Sequence, residues 1–127
     1  MADVKEIIKG QAHLGLPVHD VEKTVNFYRQ LGFEVDWQGR PDQSIFLKNG
    51  DCVLEIYAED TVADCNGAWD HVALSTPDIE AVYEYTKSLG YEALEGHICQ
   101  LPFYANGVKY FTIMGPNHEK VEFSQKL

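Results

Sequence analysis

His13 and His71 each lie at the head of a short apolar run, and Glu55 and Glu122 each stand inside a later one, Val53-Leu54-Glu55-Ile56 and Lys120-Val121-Glu122-Phe123. Imidazole nitrogen combined with carboxylate oxygen suits Ni, Co, Zn, Mn or Fe(II) rather than Ca, which prefers oxygen alone. Taken singly, each residue has an ordinary explanation, as a half-buried strand histidine or a solvent-facing glutamate. Their recurrence argues otherwise. His13-Leu14-Gly15-Leu16-Pro17-Val18-His19-Asp20 returns without a gap as His71-Val72-Ala73-Leu74-Ser75-Thr76-Pro77-Asp78, since 71 − 13 and 78 − 20 both equal 58. Leu31-Gly32-Phe33-Glu34 and Leu89-Gly90-Tyr91-Glu92 keep that offset, whereas the glutamates are 122 − 55 = 67 apart, so the second half carries nine extra residues. A repeat of half the chain is longer than a solenoid unit and points to two fused halves of one domain, built of modules at about 9–58 and 68–127. A His and a Glu recurring at equivalent places in both halves point to a shared divalent cation.

The elements that must position these residues read in the same order twice. Ala12 to Val18 alternates like a strand, Asp20 is a helix N-cap, and Val21, Val25, Tyr28 and Leu31 follow at helical spacing until Gly32 stops the helix. Strands are expected over Phe33 to Trp37, Ser44 to Lys48 and Cys52 to Tyr57, divided by Gly39-Arg40-Pro41-Asp42 and by the hairpin signal Asn49-Gly50. The second half gives a strand at Asp70 to Ser75, a helix from Asp78 to Leu89 closed by Gly90, and strands at Glu92 to Cys99, Val108 to Met114 and Lys120 to Ser124. Gly115-Pro116-Asn117 forms the last turn. Both halves thus read β-α-β-β-β, joined by the small, acidic stretch from Glu59 to Gly67, and the extra residues fit best within Gly96 to Asn106. By alternation, His13 shares a strand face with Gly15 and Pro17, and His71 with Ala73 and Ser75, small neighbours that leave room for a cavity. The aromatic group Phe103, Tyr104, Tyr110 and Phe111 reads equally as core or as the apolar wall of a cavity. His19, His97 and His118 have no repeat partner of their own type.

Composition narrows the function further. The chain has 127 residues, 20 acidic against 10 basic, and a net charge of −10. A phosphate backbone would be repelled, which argues against a nucleic-acid partner. No apolar run is long enough to span a bilayer and the first residues lack a secretory pattern, so a cytoplasmic protein with no membrane partner is expected. Cys52, Cys65 and Cys99 form no CxxC spacing and read as reduced thiols.

The chain resembles the vicinal oxygen chelate superfamily, which includes glyoxalase I, over nearly its whole length. The resemblance rests on His13-x-x-x-x-Val18-x-Asp20, Asn26-Phe27-Tyr28, Leu31-Gly32-Phe33, Leu54-Glu55, His71-Val72-Ala73-Leu74, and Gly115-Pro116-Asn117 leading to Val121-Glu122-Phe123. It implies an α+β fold in which two β-α-β-β-β modules form a half-open barrel around one divalent metal, Ni, Co, Zn or Mn. The substrate would be a small molecule that chelates the metal through two adjacent oxygens, and single-domain members are usually homodimers. The ligand order His13, Glu55, His71, Glu122 is similar to that of bacterial glyoxalase I. It implies isomerisation of a thiol–methylglyoxal hemithioacetal, with Glu122 as the base and Glu55 serving the opposite face. Pro17 stands where such enzymes usually carry an arginine, and Ile56-Tyr57-Ala58-Glu59-Asp60 replaces their Asn-Trp-Gly-like stretch, so an acidic segment faces any anionic tripeptide. Another thiol adduct, a sugar-derived carbonyl or a different enolisable substrate therefore competes with glutathione. The alternatives are an epimerase of the same superfamily and a metal-free protein of the bleomycin-resistance type that sequesters a drug or metabolite.

Overall fold

The computed structural model describes residues 4–9, 11–40, 44–65, 67 and 69–127. The chain divides into two compact units, Met1–Val62 and Ala63–Leu127. A short helix α1 (Val4–Ile7) precedes the repeat and has no counterpart in the sequence reading.

The first unit contains β1 (Leu14–Val18), α2 (Val21–Gln30), β2 (Glu34–Gln38), β3 (Ile45–Asn49) and β4 (Cys52–Ala58). Its sheet has the order β1-β4-β3-β2, with β1 parallel to β4 and the remaining pairs antiparallel. The second unit repeats the plan with β5 (His71–Ser75), α3 (Ile79–Ser88), β6 (Cys99–Leu101), β7 (Val108–Met114) and β8 (Lys120–Lys126), in the order β5-β8-β7-β6. The result is an α+β fold of two open, four-stranded mixed sheets, each with one ten-residue helix.

Local chemistry sets both helices. Asp20 caps α2 by accepting from the Lys23 amide at 3.0 Å, and Asp78 caps α3 by accepting from the Ala81 amide at 3.1 Å. Each helix ends before a glycine with positive φ, +87° at Gly32 and +92° at Gly90, a backbone state that glycine adopts without a Cβ penalty. The helix covers one face of its sheet. In the first unit the buried set is Val18, Leu47, Leu54 and Ile56 on the strands with Val25 and Tyr28 on the helix. In the second it is Leu74, Phe111, Ile113, Val121 and Phe123 with Ile79 and Thr86. Tyr83 packs edge-on against Phe111 at 5.2 Å between ring centroids, whereas Tyr85 is exposed. Strand alternation sends the intervening residues, Glu55 and Tyr57 or Tyr110, Thr112 and Glu122, to the opposite face.

Two expectations need correction. The strand expected over Glu92 to Cys99 is absent: β6 begins only at Cys99. The Leu94 amide donates to Thr112 O at 2.8 Å and the Glu95 carboxylate accepts from the Thr112 amide at 2.8 Å, after which Gly96, at φ +81°, turns the chain away from β7. A side chain thus replaces one rung of the ladder. The first strand also starts later than expected, at Leu14, which leaves His13 just outside it. Pro41 and Asp42 of the expected turn, and Asn66 of the joining stretch, lie outside the described residues. The extra residues fall near where they were expected. Phe46 stands opposite Glu55 and Thr112 opposite Glu122, so this register point is offset by 112 − 46 = 66 and eight of the nine lie between Gly90 and Thr112.

Candidate metal-binding half-sites

In the first unit, β4 holds Glu55 between Gly15 on β1 and Phe46 on β3. His13, one residue before β1, brings its Nε2 to 3.3 Å from Glu55 Oε1. Its ring meets that of Phe46 edge-on at 5.3 Å, which fixes the imidazole plane. The other carboxylate oxygen is engaged as well, because Ser44 Oγ donates to Glu55 Oε2 at 2.6 Å. A Cβ added at Gly15 would meet Tyr57 Cε1 at 3.7 Å and Glu55 Oε1 at 3.9 Å, ordinary contact distances, so the space over this face is real but shallow. Glu55, Ser44, Arg40 and Tyr57 line a concavity of about 800 Å³.

The second unit repeats the pairing with different support. His71 opens β5, and its Nε2 lies 3.6 Å from Glu122 Oε1 on β8. On the far side of the ring Asp70 Oδ2 lies 2.9 Å from Nδ1, and Asp70 also faces Lys120 at 3.6 Å. A proton on Nδ1 shared with Asp70 leaves the Nε2 lone pair directed toward Glu122, the arrangement that makes a neutral imidazole a metal donor. Burial pushes the Glu122 carboxyl above its ordinary range; His71 opposes this, and the charges of Glu95 and Asp70 reinforce it. Asp70, by contrast, is pulled below its ordinary range, chiefly by its hydrogen bond to His71 and then by Lys120. His71 and Glu122 line a concavity of about 640 Å³.

Two donors bound to one first-row metal at about 2.0–2.2 Å, with an angle between 90° and 110°, sit about 3–3.5 Å apart. The His13–Glu55 separation lies inside that window and the His71–Glu122 separation just beyond it. Both pairs therefore fit as halves of a metal site in donor type, His13–Glu55 also in spacing, while His71–Glu122 would have to close by a small shift. The four expected ligands come together as two pairs, one in each unit. Among the described residues no group of three or more His, Cys, Asp or Glu side chains is gathered to hold a metal.

The remaining candidates separate clearly. Phe103, Tyr104 and Tyr110 line the concavity of the second unit, whereas Phe111 is fully buried in the core. His19 and His97 are exposed, with His97 Nε2 3.7 Å from Cys99 Sγ. His118 lies in the last turn at φ +58° and pairs with Asp64 at 2.7 Å. Three supporting residues escaped the sequence reading: Ser44, Asp70 and Glu95. Asp70 could have been suspected from its place beside His71, while Ser44 meets Glu55 only once β3 and β4 pair and Glu95 meets Thr112 only when the Leu94–Gly96 turn folds against β7.

Residues 10–123 match the profile described as Glyoxalase/Bleomycin resistance protein/Dioxygenase superfamily. The chain belongs to this superfamily. Similar proteins of the superfamily fold include a glyoxalase family protein from Enterococcus faecalis, whose crystal structure is 25% identical, has a TM-score of 0.74, and aligns over 93% of this chain and 98% of its own. The Bacillus subtilis (strain 168) protein YwbC is 28% identical over 131 residues, 90% of this chain and 95% of its own. A bleomycin resistance protein of Klebsiella pneumoniae is 32% identical over 80 residues, 63% of this chain and 61% of its own. The superfamily thus includes both enzymes and resistance proteins, and the assignment within it turns on the half-sites.

Proposed function

We propose that the chain is a divalent-metal-dependent lyase or isomerase of the glyoxalase I type, acting on a thiol–methylglyoxal hemithioacetal or a related enolisable carbonyl compound. The metal, Ni, Co, Zn or Mn, is held by His13, Glu55, His71 and Glu122 in a single-domain, homodimeric, cytoplasmic protein. The observation that carries this reading is the recurrence, at equivalent points of the repeat in each unit, of a His–Glu pair 3.3 Å and 3.6 Å apart, close to the spacing of two donors on one metal ion. When bound, the metal supplies Lewis-acid polarisation of two adjacent substrate oxygens.

The two glutamates are equipped for different tasks. Glu55 is pinned through Oε2 by Ser44, which suits a permanent ligand. Burial raises the proton affinity of Glu122, which brings it nearer to the range useful for a general base at neutral pH. Glu122 takes the proton from the carbon beside the substrate carbonyl and returns it to the neighbouring carbon. Asp70 holds His71 in the tautomer that keeps Nε2 available.

A second reading, sequestration of a drug or metabolite without metal, draws support from the bleomycin resistance relative. Calorimetric titration of Ni, Co, Zn and Mn into chelator-stripped protein separates the two. One tight site per chain, lost in His71→Ala, together with hemithioacetal turnover abolished in Glu122→Gln, is the expected result. Absence of binding by all four metals would reject the enzyme reading in favour of sequestration.

A further inference from the structure

We infer that Phe103 and Tyr104 form an aromatic subsite that selects a substrate bearing an uncharged planar apolar group next to its chelating oxygens. The inference rests on the reading of His71 and Glu122 as ligands. Phe103 is 54% exposed and Tyr104 72%, yet both face the same concavity as His71 and Glu122. Large apolar side chains withheld from the core and turned toward a hollow mark a binding wall. They lie in the segment that lengthens the second unit, between β6 and β7, which the β-α-β-β-β plan does not require. Among the described residues, the concavity of the first unit carries one aromatic side chain, Tyr57, beside the polar Gln38, Arg40, Ser44 and Glu59.

The wall is also held in place. Tyr104 sits at φ +59°, a left-handed state uncommon for a residue with a side chain, and Lys126 Nζ lies 4.1 Å from the centre of its ring. Charge limits what the hollow accepts. Asp70, Glu95 and Glu122 line it against Lys120, which already faces Asp70, and Lys126 is engaged with the Tyr104 ring, so carboxylates outnumber cations there and an anionic substituent is disfavoured. A volume of about 640 Å³ accommodates a phenyl ring in addition to the chelating group.

Hydroxamates chelate through two adjacent oxygens without reacting, so they test the subsite apart from turnover. On Ni-loaded protein, benzohydroxamate should bind at least about tenfold tighter than acetohydroxamate, the size of effect expected for burying one ring. Phe103→Ala and Tyr104→Ala should each cut that advantage below about threefold while leaving acetohydroxamate affinity unchanged. A carboxylate placed on the ring should abolish the advantage. Equal affinity for the two hydroxamates in the wild type, or an advantage that survives both substitutions, would overturn the inference. Addition of benzamide to metal-free protein, followed through the backbone amide signals of residues 101–110, keeps the two readings apart. Shifts there without hydroxamate binding reject the metal and retain the subsite; hydroxamate binding without a phenyl advantage does the reverse.

Discussion

Removing the Asp70 carboxylate should weaken metal binding although Asp70 itself ligates nothing. Its Oδ2 lies 2.9 Å from His71 Nδ1, and an acceptor at that distance favours a proton on Nδ1. With Asp70 present, Nε2 keeps its lone pair toward Glu122; in Asp70→Ala the ring can rotate or exchange tautomers, and part of the population loses its donor geometry. Removal of such an outer partner generally costs 10–100-fold in metal affinity. Two features place this case at the low end. The Asp70 side chain is 62% exposed, so water competes for Nδ1, and Lys120 at 3.6 Å already draws on the same carboxylate. The expected loss for Asp70→Ala is therefore about tenfold. Asp70→Asn keeps an acceptor oxygen for Nδ1 and should lose less than about threefold. Isothermal titration of Ni into chelator-stripped protein gives both numbers, and far-UV circular dichroism confirms an unchanged fold. Equal losses in the two variants would show that charge rather than tautomer control matters, and undiminished affinity in Asp70→Ala would reject Asp70 as the residue that positions His71.

Phe111, fully buried between Tyr83 and Phe123, should be a stability residue: Phe111→Ala is expected to cost about 3–5 kcal/mol, a fall in Tm of about 10–20 °C by calorimetry. In metal-free protein, burial holds the Glu122 carboxyl above the ordinary glutamate value of 4.5. The protonated form is thus favoured by folding, and its contribution is complete below that value and lost as pH rises through the folded-state one. Glu122→Gln should accordingly gain in Tm relative to wild type as pH is raised from about 4.5, and a constant difference across that range would contradict the assignment. Burial also pushes the Cys52 thiol upward, while Cys65 is exposed. Iodoacetamide at neutral pH should label Cys65 first, with Cys52 reacting only as pH is raised; mass-spectrometric mapping would show the order.

Much of the architecture is written in short-range signals. Asp20 caps its helix as its spacing predicts, Asp78 stands at the start of the second as its cap, Gly32 and Gly90 follow the helix ends, and Val108 to Met114 is a strand from first to last residue. These were legible because each sheet has one buried face, which imposes a period of two on its strands, and because cap and stop residues act within four positions. The His–Glu pairing within each unit was visible for a related reason: parallel pairing of β1 with β4 and of β5 with β8 sets Gly15 beside Glu55 and Ala73 beside Glu122, the faces that alternation assigns to His13 and His71. Interactions that depend on folded neighbours were not visible. Glu95 replaces a strand rung at Thr112, and nothing in Glu92 to Cys99 signals that its apparent alternation stops there. Ser44 becomes a partner of Glu55 only once β3 and β4 are paired, 11 positions apart along the chain. The Phe111–Tyr110 boundary between core and cavity wall likewise follows from a one-residue choice of strand face.

The division of each sheet into a helix-covered face and a chemical face has a consequence for how such a protein can change over generations. Leu54, Ile56, Val121 and Phe123 hold the fold together, while Glu55, Glu122 and their neighbours on the other side add little cohesion. Substitutions on the chemical face are therefore shielded from the penalty of unfolding, and a lineage can trade a ligand for a phenyl contact, or a base for an inert side chain, without first acquiring compensating mutations. One scaffold can in this way pass between catalyst and molecular trap by altering a handful of positions.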